Sequence, residues 1–435
     1  MLLRFVAANY RSILDPVELS MIAVDEDRPS TRGFDLLAQR VLTTAGIYGP
    51  NASGKSNVVE AFAWLSLAVG RSLRSWDQIV PREPFKFGRG PSEPSTYEVE
   101  MIVRGVRYAY QIELDDSAVL FEALYSYPER RRRVLFEREG LEIHFRRGLG
   151  ALAGTRELLT PATLALSAAM RFGDPEVEPF GRHLAGARVL GARRRAAWRR
   201  LPAGMGFGPG PSGTERLFAS RASAIQPSLF DDVDVDVAPL DERESALALL
   251  RFADLGIDDV QIVEVDEDDD GRTSSAPRRR LRLIHRIEGQ ELPFDLAEES
   301  AGTQTWFALI GPALNALRRG QILLFDEIDS SLHPNLSARL LELFQDPTTN
   351  PNGAQLIFTT HDTSLLNHLN RDEVWLTEKG ETGATTLTAL AEYGGDKVRR
   401  SLNLERAYLQ GRFGAVPELD QFKLRRALGL EPSDA

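Results

Sequence analysis

The chain of 435 residues contains no cysteine, which excludes disulfides and thiolate metal sites and fits a cytoplasmic protein. Histidine is scarce as well. The six residues show no paired metal spacing, so no structural zinc is expected. Apolar runs are broken by charge well short of the roughly 20 residues a membrane span needs. The opening MLLRFVAANYRS lacks a signal-peptide core. Excess positive charge is missing too: 63 Asp and Glu stand against 52 Lys and Arg, a net charge of −11. A protein that coats nucleic acid is usually basic, because phosphate contacts dominate its affinity. Any such contact must therefore be local. Arg130–Arg133, and Arg193–Arg195 with Arg199 and Arg200, are the clusters that could supply it. A solvated face or a groove for an acidic partner protein is the plainer reading of both. No internal repeat and no long heptad pattern occur, so there is no extended coiled-coil arm.

What is present is an ordinary globular composition, 43% hydrophobic and 26% charged, in a chain long enough for two or three cores. RFVAANYRS and VELSMIAV read as strands, and VLTTAGIYG as a β-rich run ending in a glycine loop. SNVVEAFAWLSLAVGRSL then puts Val58, Val59, Phe62, Leu65 and Val69 on one helical stripe. YEVEMIVRGVRYAYQI alternates and turns at Arg104-Gly105, and VLFEREG with LEIHF makes a second hairpin. Residues 151–250 read as a helical insertion with a flexible middle, rich in Gly, Pro and Ser and then in acid. Beyond it strands return (LGIDDVQIVEV, RRLRLIHRI, ELPFDL), followed by helix, strand, helix, strand. QILLF and QLIF are continuous apolar runs, as expected of parallel strands buried on both faces. The expectation is an α/β fold in three parts: residues 1–150 with the glycine loop, the insertion 151–250, and a second lobe 251–435.

Four motifs carry the chemistry. In GPNASGKS (49–56), Gly49 and Gly54 let the backbone wrap phosphate oxygens, Lys55 reaches the terminal phosphates, and Ser56 offers its hydroxyl to Mg²⁺. ILLFDEIDSSLHP ends a buried strand in two acids. Asp326 fits the carboxylate that holds Mg²⁺, and Glu327 fits a general base that activates water. A surface acid pair closing a strand is disfavoured by the four apolar residues that lead into it. EESAGTQTWF puts Ser300, a good N-cap, and Gly302 before a helix, with Gln304 and Thr305 in its first turn. Read alone it starts a helix and no more. LIFTTHD puts His361 just past a buried strand, where it suits a phosphate sensor.

In this order the four pieces resemble the ATP-binding cassette ATPases of the SMC, RecF and OLD group. The likeness is closer to the stand-alone AAA family ATPases of the RloA and AbiL type found in anti-phage defence loci. NYRSI (9–13), GPNASGKSNVVEA, ESAGTQ, LLFDEIDSSLHP, QLIFTTHDTSLL, RDEVWLTEKG and YLQGRFGAVPEL carry it, from residue 9 to about 419. The resemblance implies a P-loop fold, an ABC ATPase head with a mixed sheet, an antiparallel β subdomain and a helical insertion. Asn51, Gly54, Lys55, Ser56 and Asn57 would bind ATP, Ser56 and Asp326 would hold Mg²⁺, and Glu327 and His361 would be catalytic. Asp329-Ser330-Ser331 would be the D-loop. Ser300, Gly302 and Gln304 would cap the γ-phosphate held by a second copy, so two heads close head to tail on two ATP. The signature reads Glu-Ser where Leu-Ser is usual, and only Gln78 stands in order for a Q-loop. The implied role is a sensor or regulator of an effector, such as a Toprim-type nuclease. The alternatives are a RecF-like ATPase that binds duplex DNA, and a binding module that nucleotide merely stabilises.

Overall fold

The computed structural model describes residues 1–76, 78–191, 213–218, 240–253, 256–265, 278–330, 332–393 and 403–415. The basic cluster 193–200, Ser331 and the Gly/Pro-rich and acidic stretches of the insertion lie outside the described residues.

The runs that read as continuously apolar form the centre. Thr44–Tyr48, Ile322–Asp326 and Gln355–Thr359 are buried at every position. Alternate residues feed opposite cores, as the two-residue period of a strand requires. Ile322, Leu324, Ile357 and Ile47 lie in one core, and Leu323, Phe325, Phe358 and Tyr48 in the other. The sheet runs Arg188–Gly191, Ile322–Asp326, Gln355–Thr359, Thr44–Tyr48, Val374–Lys379 and Thr385–Ala389. Only the last strand is antiparallel. The register sets Phe325 opposite Phe358 and Thr359 opposite Ile47, so Asp326, Thr359 and Tyr48 end their strands together. Carboxyl ends of parallel strands are where such sheets present ligand-facing groups.

A second, seven-stranded antiparallel sheet contains both expected hairpins, Ser95–Val103 with Val106–Leu114 and Arg133–Glu139 with Glu142–Phe145. Helix Lys55–Ser75 is shared between the sheets: its apolar stripe is buried, and Phe62 meets Phe5 of strand Leu2–Ala8 edge-on at 5.0 Å. Burying a side chain such as Phe62 contributes roughly 1.5–3 kcal/mol. Helices Ala165–Ala169 and Glu178–Ala185 pack on it. The first of these is tied to the sheet by Glu122, which accepts the N–H groups of Ala165 (2.6 Å) and Leu166 (2.8 Å) beside the equally buried Arg138.

Two expectations change. RFVAANYRS is a strand only through Ala8. Asn9 and Arg11 take φ of 52° and 51°, and the chain turns back with Tyr10 bridging Ile13. The region read as helical also contains the edge strand Arg188–Gly191, whose Gly191 lies beside Asp326; a Cβ there would sit 1.8 Å from Asp326 O.

On the other side of the central sheet lie helices Ala301–Arg319, Pro334–Gln345 and Leu240–Ala253, the short helix Gly213–Phe218, and a three-stranded sheet of Ile257–Val265, Arg278–Ile287 and Gln290–Asp295. Helix Ala301–Arg319 contains Pro312, which has no N–H for the ladder. At the rung just before it, buried Thr214 inserts its hydroxyl. It donates to Phe307 O (2.5 Å) and accepts from Gly311 N–H (2.8 Å), two groups that an uninterrupted helix pairs with each other. A Cβ on Gly311 would meet Thr214 N at 2.4 Å, so only glycine admits this approach.

Candidate functional site

Strand Thr44–Tyr48 runs into the glycine loop, where Gly49 (φ 149°), Ala52 (62°) and Gly54 (107°) depart from ordinary backbone. The glycines are also sterically required. A Cβ on Gly49 would lie 2.5 Å from Thr377 O, and one on Gly54 2.1 Å from Thr385 Oγ1. Helix Lys55–Ser75 follows with no side-chain cap, leaving the N–H groups of its first turn as an anion site. Lys55 is buried, and its Nζ donates to Gly49 O (2.9 Å) and Pro50 O (3.1 Å). Burial lowers its pKa to about 8, while Asp329, Glu327 and Asp326 pull it upward.

A set of hydroxyls braces the loop from behind. Thr385 Oγ1 donates to Ser53 O (2.8 Å) and lies 2.7 Å from Ser12 Oγ. Thr377 Oγ1 donates to Tyr48 O (3.1 Å) and lies 2.5 Å from Ser53 Oγ. Asn57, expected at the nucleotide, donates its amide to Ser12 Oγ at 2.5 Å. Arg11 pairs with Glu60 of the loop helix and with Glu83. NYRSI thus supports the helix and the loop from the side. Ser12 lies in that motif and Thr377 in RDEVWLTEKG, though neither was singled out there; Thr385 belongs to no motif.

The acids stand where their strand ends. Asp326 is 2% exposed, and its Oδ1 accepts from Thr359 Oγ1 at 2.7 Å. Its Oδ2 is enclosed without a partner. A buried carboxylate oxygen left so is costly unless something else pairs with it. A carboxylate with one open oxygen and the Ser56 hydroxyl are the oxygen donors Mg²⁺ takes beside phosphates, so these residues fit the ion. Glu327 follows with φ 56°, a left-handed backbone that costs a non-glycine residue about 1–2 kcal/mol. Its N–H donates to Thr359 Oγ1 (2.8 Å). Asp329 accepts from Thr360 Oγ1 (2.7 Å) and from His361 N–H (3.2 Å), so it holds the backbone of the exposed histidine.

Ser300 caps helix Ala301–Arg319 as expected, its Oγ accepting Thr303 N–H at 3.1 Å. Gln304 Nε2 donates to Glu299 O (2.8 Å). These side-chain bonds stay within the segment, and Ser300 is exposed. The Glu-for-Leu departure has a physical reason: Glu299 Oε1 lies 2.7 Å from Nε2 of His285 on strand Arg278–Ile287. Gln78 is exposed beyond the loop helix, and among the described residues no hydrogen bond of its side chain ties it to the site. A cleft of about 980 Å³ opens between Leu249, Phe252, Trp306 and Arg339. None of the loop or acid residues lines it, so it is not the phosphate site. No helix among the described residues is long and apolar enough to cross a membrane.

Residues 45–367 match the family described as AAA domain, putative AbiEii toxin, Type IV TA system. The match covers most of the chain, and the chain belongs to this AAA-domain family. No curated protein matches it. Among solved structures it is similar to the SMC head bound to the C-winged-helix domain of ScpA, at 12% identity over 89% of this chain and 97% of that one, with a TM-score of 0.42. It is similar also to the SMC head domain from Thermotoga maritima, at 13% identity over 89% and 98% of the two chains, with a TM-score of 0.38.

Proposed function

We propose that the chain is a cytoplasmic, Mg²⁺-dependent ATPase whose reaction site is finished by a second copy of itself. The observation that carries the reading is the enclosed, unpartnered Oδ2 of Asp326 next to Glu327, with the buried ammonium of Lys55 under their influence. Lys55 and the first-turn N–H groups would hold the terminal phosphates. Ser56 and Asp326 would hold the ion, which draws charge from the transferring phosphoryl group. Glu327 would take the proton of the attacking water, and His361 would follow the charge of the γ-phosphate. Ser300, Gly302 and Gln304 sit on an accessible helix start, a surface suited to cap a phosphate bound by another molecule. The defence role follows the family description and the resemblance to the RloA and AbiL branch. In that role ATP-driven closure would control a separate effector, a Toprim-type nuclease being the class expected.

Direct binding of duplex DNA is the weaker reading. Arg132 lies 4.0 Å over the Tyr125 ring and pairs with Glu137, while Arg130 donates to Asp35 O. That basic cluster is partly engaged within the chain.

Mixing two inactive variants tests the shared site. Lys55→Ala and Ser300→Ala proteins should each be inactive in phosphate release. Their mixture should regain activity, because a heterodimer rebuilds one intact site from an unaltered loop and an unaltered signature. A mixture as inactive as its components, with both variants folded, would remove the head-to-tail arrangement.

A further inference from the structure

Thr359 lies in LIFTTHD, where the sequence reading singled out only His361, yet it touches three consecutive residues of the acid turn. It ends strand Gln355–Thr359 and is 0% exposed. Its hydroxyl has one hydrogen, and the geometry fixes where that hydrogen goes. A carboxylate can only accept, so Oγ1 donates to Asp326 Oδ1 at 2.7 Å and must use a lone pair for Glu327 N–H at 2.8 Å. Its carbonyl accepts Ile328 N–H at 3.0 Å. The hydroxyl of Thr360, the next residue, goes instead to Asp329.

Two consequences meet at this one oxygen. The bond to Oδ1 fixes the carboxylate rotamer and leaves Oδ2 as the oxygen without a protein partner. The bond to Glu327 N–H holds a peptide whose φ of 56° an ordinary residue does not adopt unaided. We infer that Thr359 is a positioning residue for both acids at once, coupling the orientation of the cation-holding carboxylate to that of the general base. The inference rests on the proposed ATPase reading. It adds that the acids are set as a unit by a hydroxyl from the neighbouring strand.

Thr359→Val keeps the shape and deletes both hydroxyl bonds; Thr359→Ser keeps the hydroxyl; Thr359→Ala removes bulk should valine prove unfolded. Full-length proteins are compared by thermal melting, by kcat and KM for ATP, and by the Mg²⁺ dependence of ATP affinity. Loss of aligned acids acts in the transition state more than in binding. Thr359→Val should therefore lower kcat about 100-fold with KM within about threefold of wild type. ATP binding should need several-fold more Mg²⁺, and Thr359→Ser should restore both properties. A folded Val or Ala variant with wild-type kcat and Mg²⁺ dependence overturns the inference. So does a folded Ser variant as impaired as the valine one. Glu327→Gln separates this failure from that of the ATPase reading. If wild type hydrolyses ATP and Glu327→Gln does not, while Thr359→Val behaves as wild type, only the role of Thr359 falls. If wild type and Glu327→Gln release phosphate at the same rate, the underlying reading falls with it.

Discussion

The phosphate loop and the signature segment would meet the same triphosphate, but they are built in opposite ways. The loop is gripped from several directions: Thr377 and Thr385 from one hairpin, Ser12 from the N-terminal turn, and Arg11 through Glu60. Its two glycines fit so closely that neither position has room for a methyl group. The signature start is exposed, and its cap bonds only within its own turn. Its side-chain tie to the neighbouring sheet runs through Glu299 and His285. The first surface is ordered before anything binds and loses little entropy when it does. The second has the sparse contacts of segments that open locally at small cost. In the proposed head-to-tail pair, a preformed grip and an adaptable cap would let each copy hold nucleotide alone while the reaction waits for the second.

The sharpest way to break this contrast is Gly54→Ala. Left-handed strain of about 1–2 kcal/mol adds to overpacking of roughly 1–3 kcal/mol against Thr385. Chemical denaturation should show a loss of about 2–5 kcal/mol, and titration with ATP should show lost binding. A Gly54→Ala protein as stable and as tight as wild type would mean that the loop is not rigid.

Acidification should loosen the phosphate side first. His183, on the helix that packs against Lys55–Ser75, has its Nε2 enclosed without a partner. Burial, with a smaller push from the Met1 ammonium, lowers its pKa from 6.5 to about 3. The folded state therefore refuses a proton that the unfolded chain accepts below pH 6.5. Stability is unaffected by this group above that value and falls as pH drops toward 3. At pH 5 the loss is about 2 kcal/mol. His183→Asn should flatten the melting temperature between pH 6.5 and 5, and hydrogen exchange should show the wild-type loss around helix Lys55–Ser75. An unchanged pH slope in the variant would refute the assignment.

The smallest effect belongs to the signature. Ser300→Ala removes a cap worth about 0.5–2 kcal/mol, so melting should shift by a few degrees at most and ATP affinity of the isolated chain should stay level. Phosphate release should nonetheless stop. A large drop in ATP affinity would show that Ser300 serves its own loop, and the contrast between the two surfaces would vanish.

Much of this was legible because its causes are local. A glycine loop needs its residues next to one another, and a strand buried on both faces needs an unbroken apolar run, as in QILLF and QLIF. What was not legible comes from distance. Nothing near GPNASGKS announces that hydroxyls at 377 and 385 support it, since strand pairing alone brings them there. Asn57 read as a nucleotide contact because it follows the motif, whereas its amide serves Ser12. Strand Arg188–Gly191 was missed because four partly exposed edge residues lack the apolar run of a buried strand. The Glu at 299 looked like a defect in the signature until the fold brought His285 beside it.

The interrupted ladder of helix Ala301–Arg319 has one more consequence. A rod transmits motion only end to end, but this one has a joint at Phe307–Pro312, and the hydroxyl that fills the gap comes from Thr214, almost a hundred residues away in sequence. The rung that the helix gives up is returned by Thr214, so the segment 213–218 and the helix that begins at Ser300 are bonded to each other through the helix backbone itself.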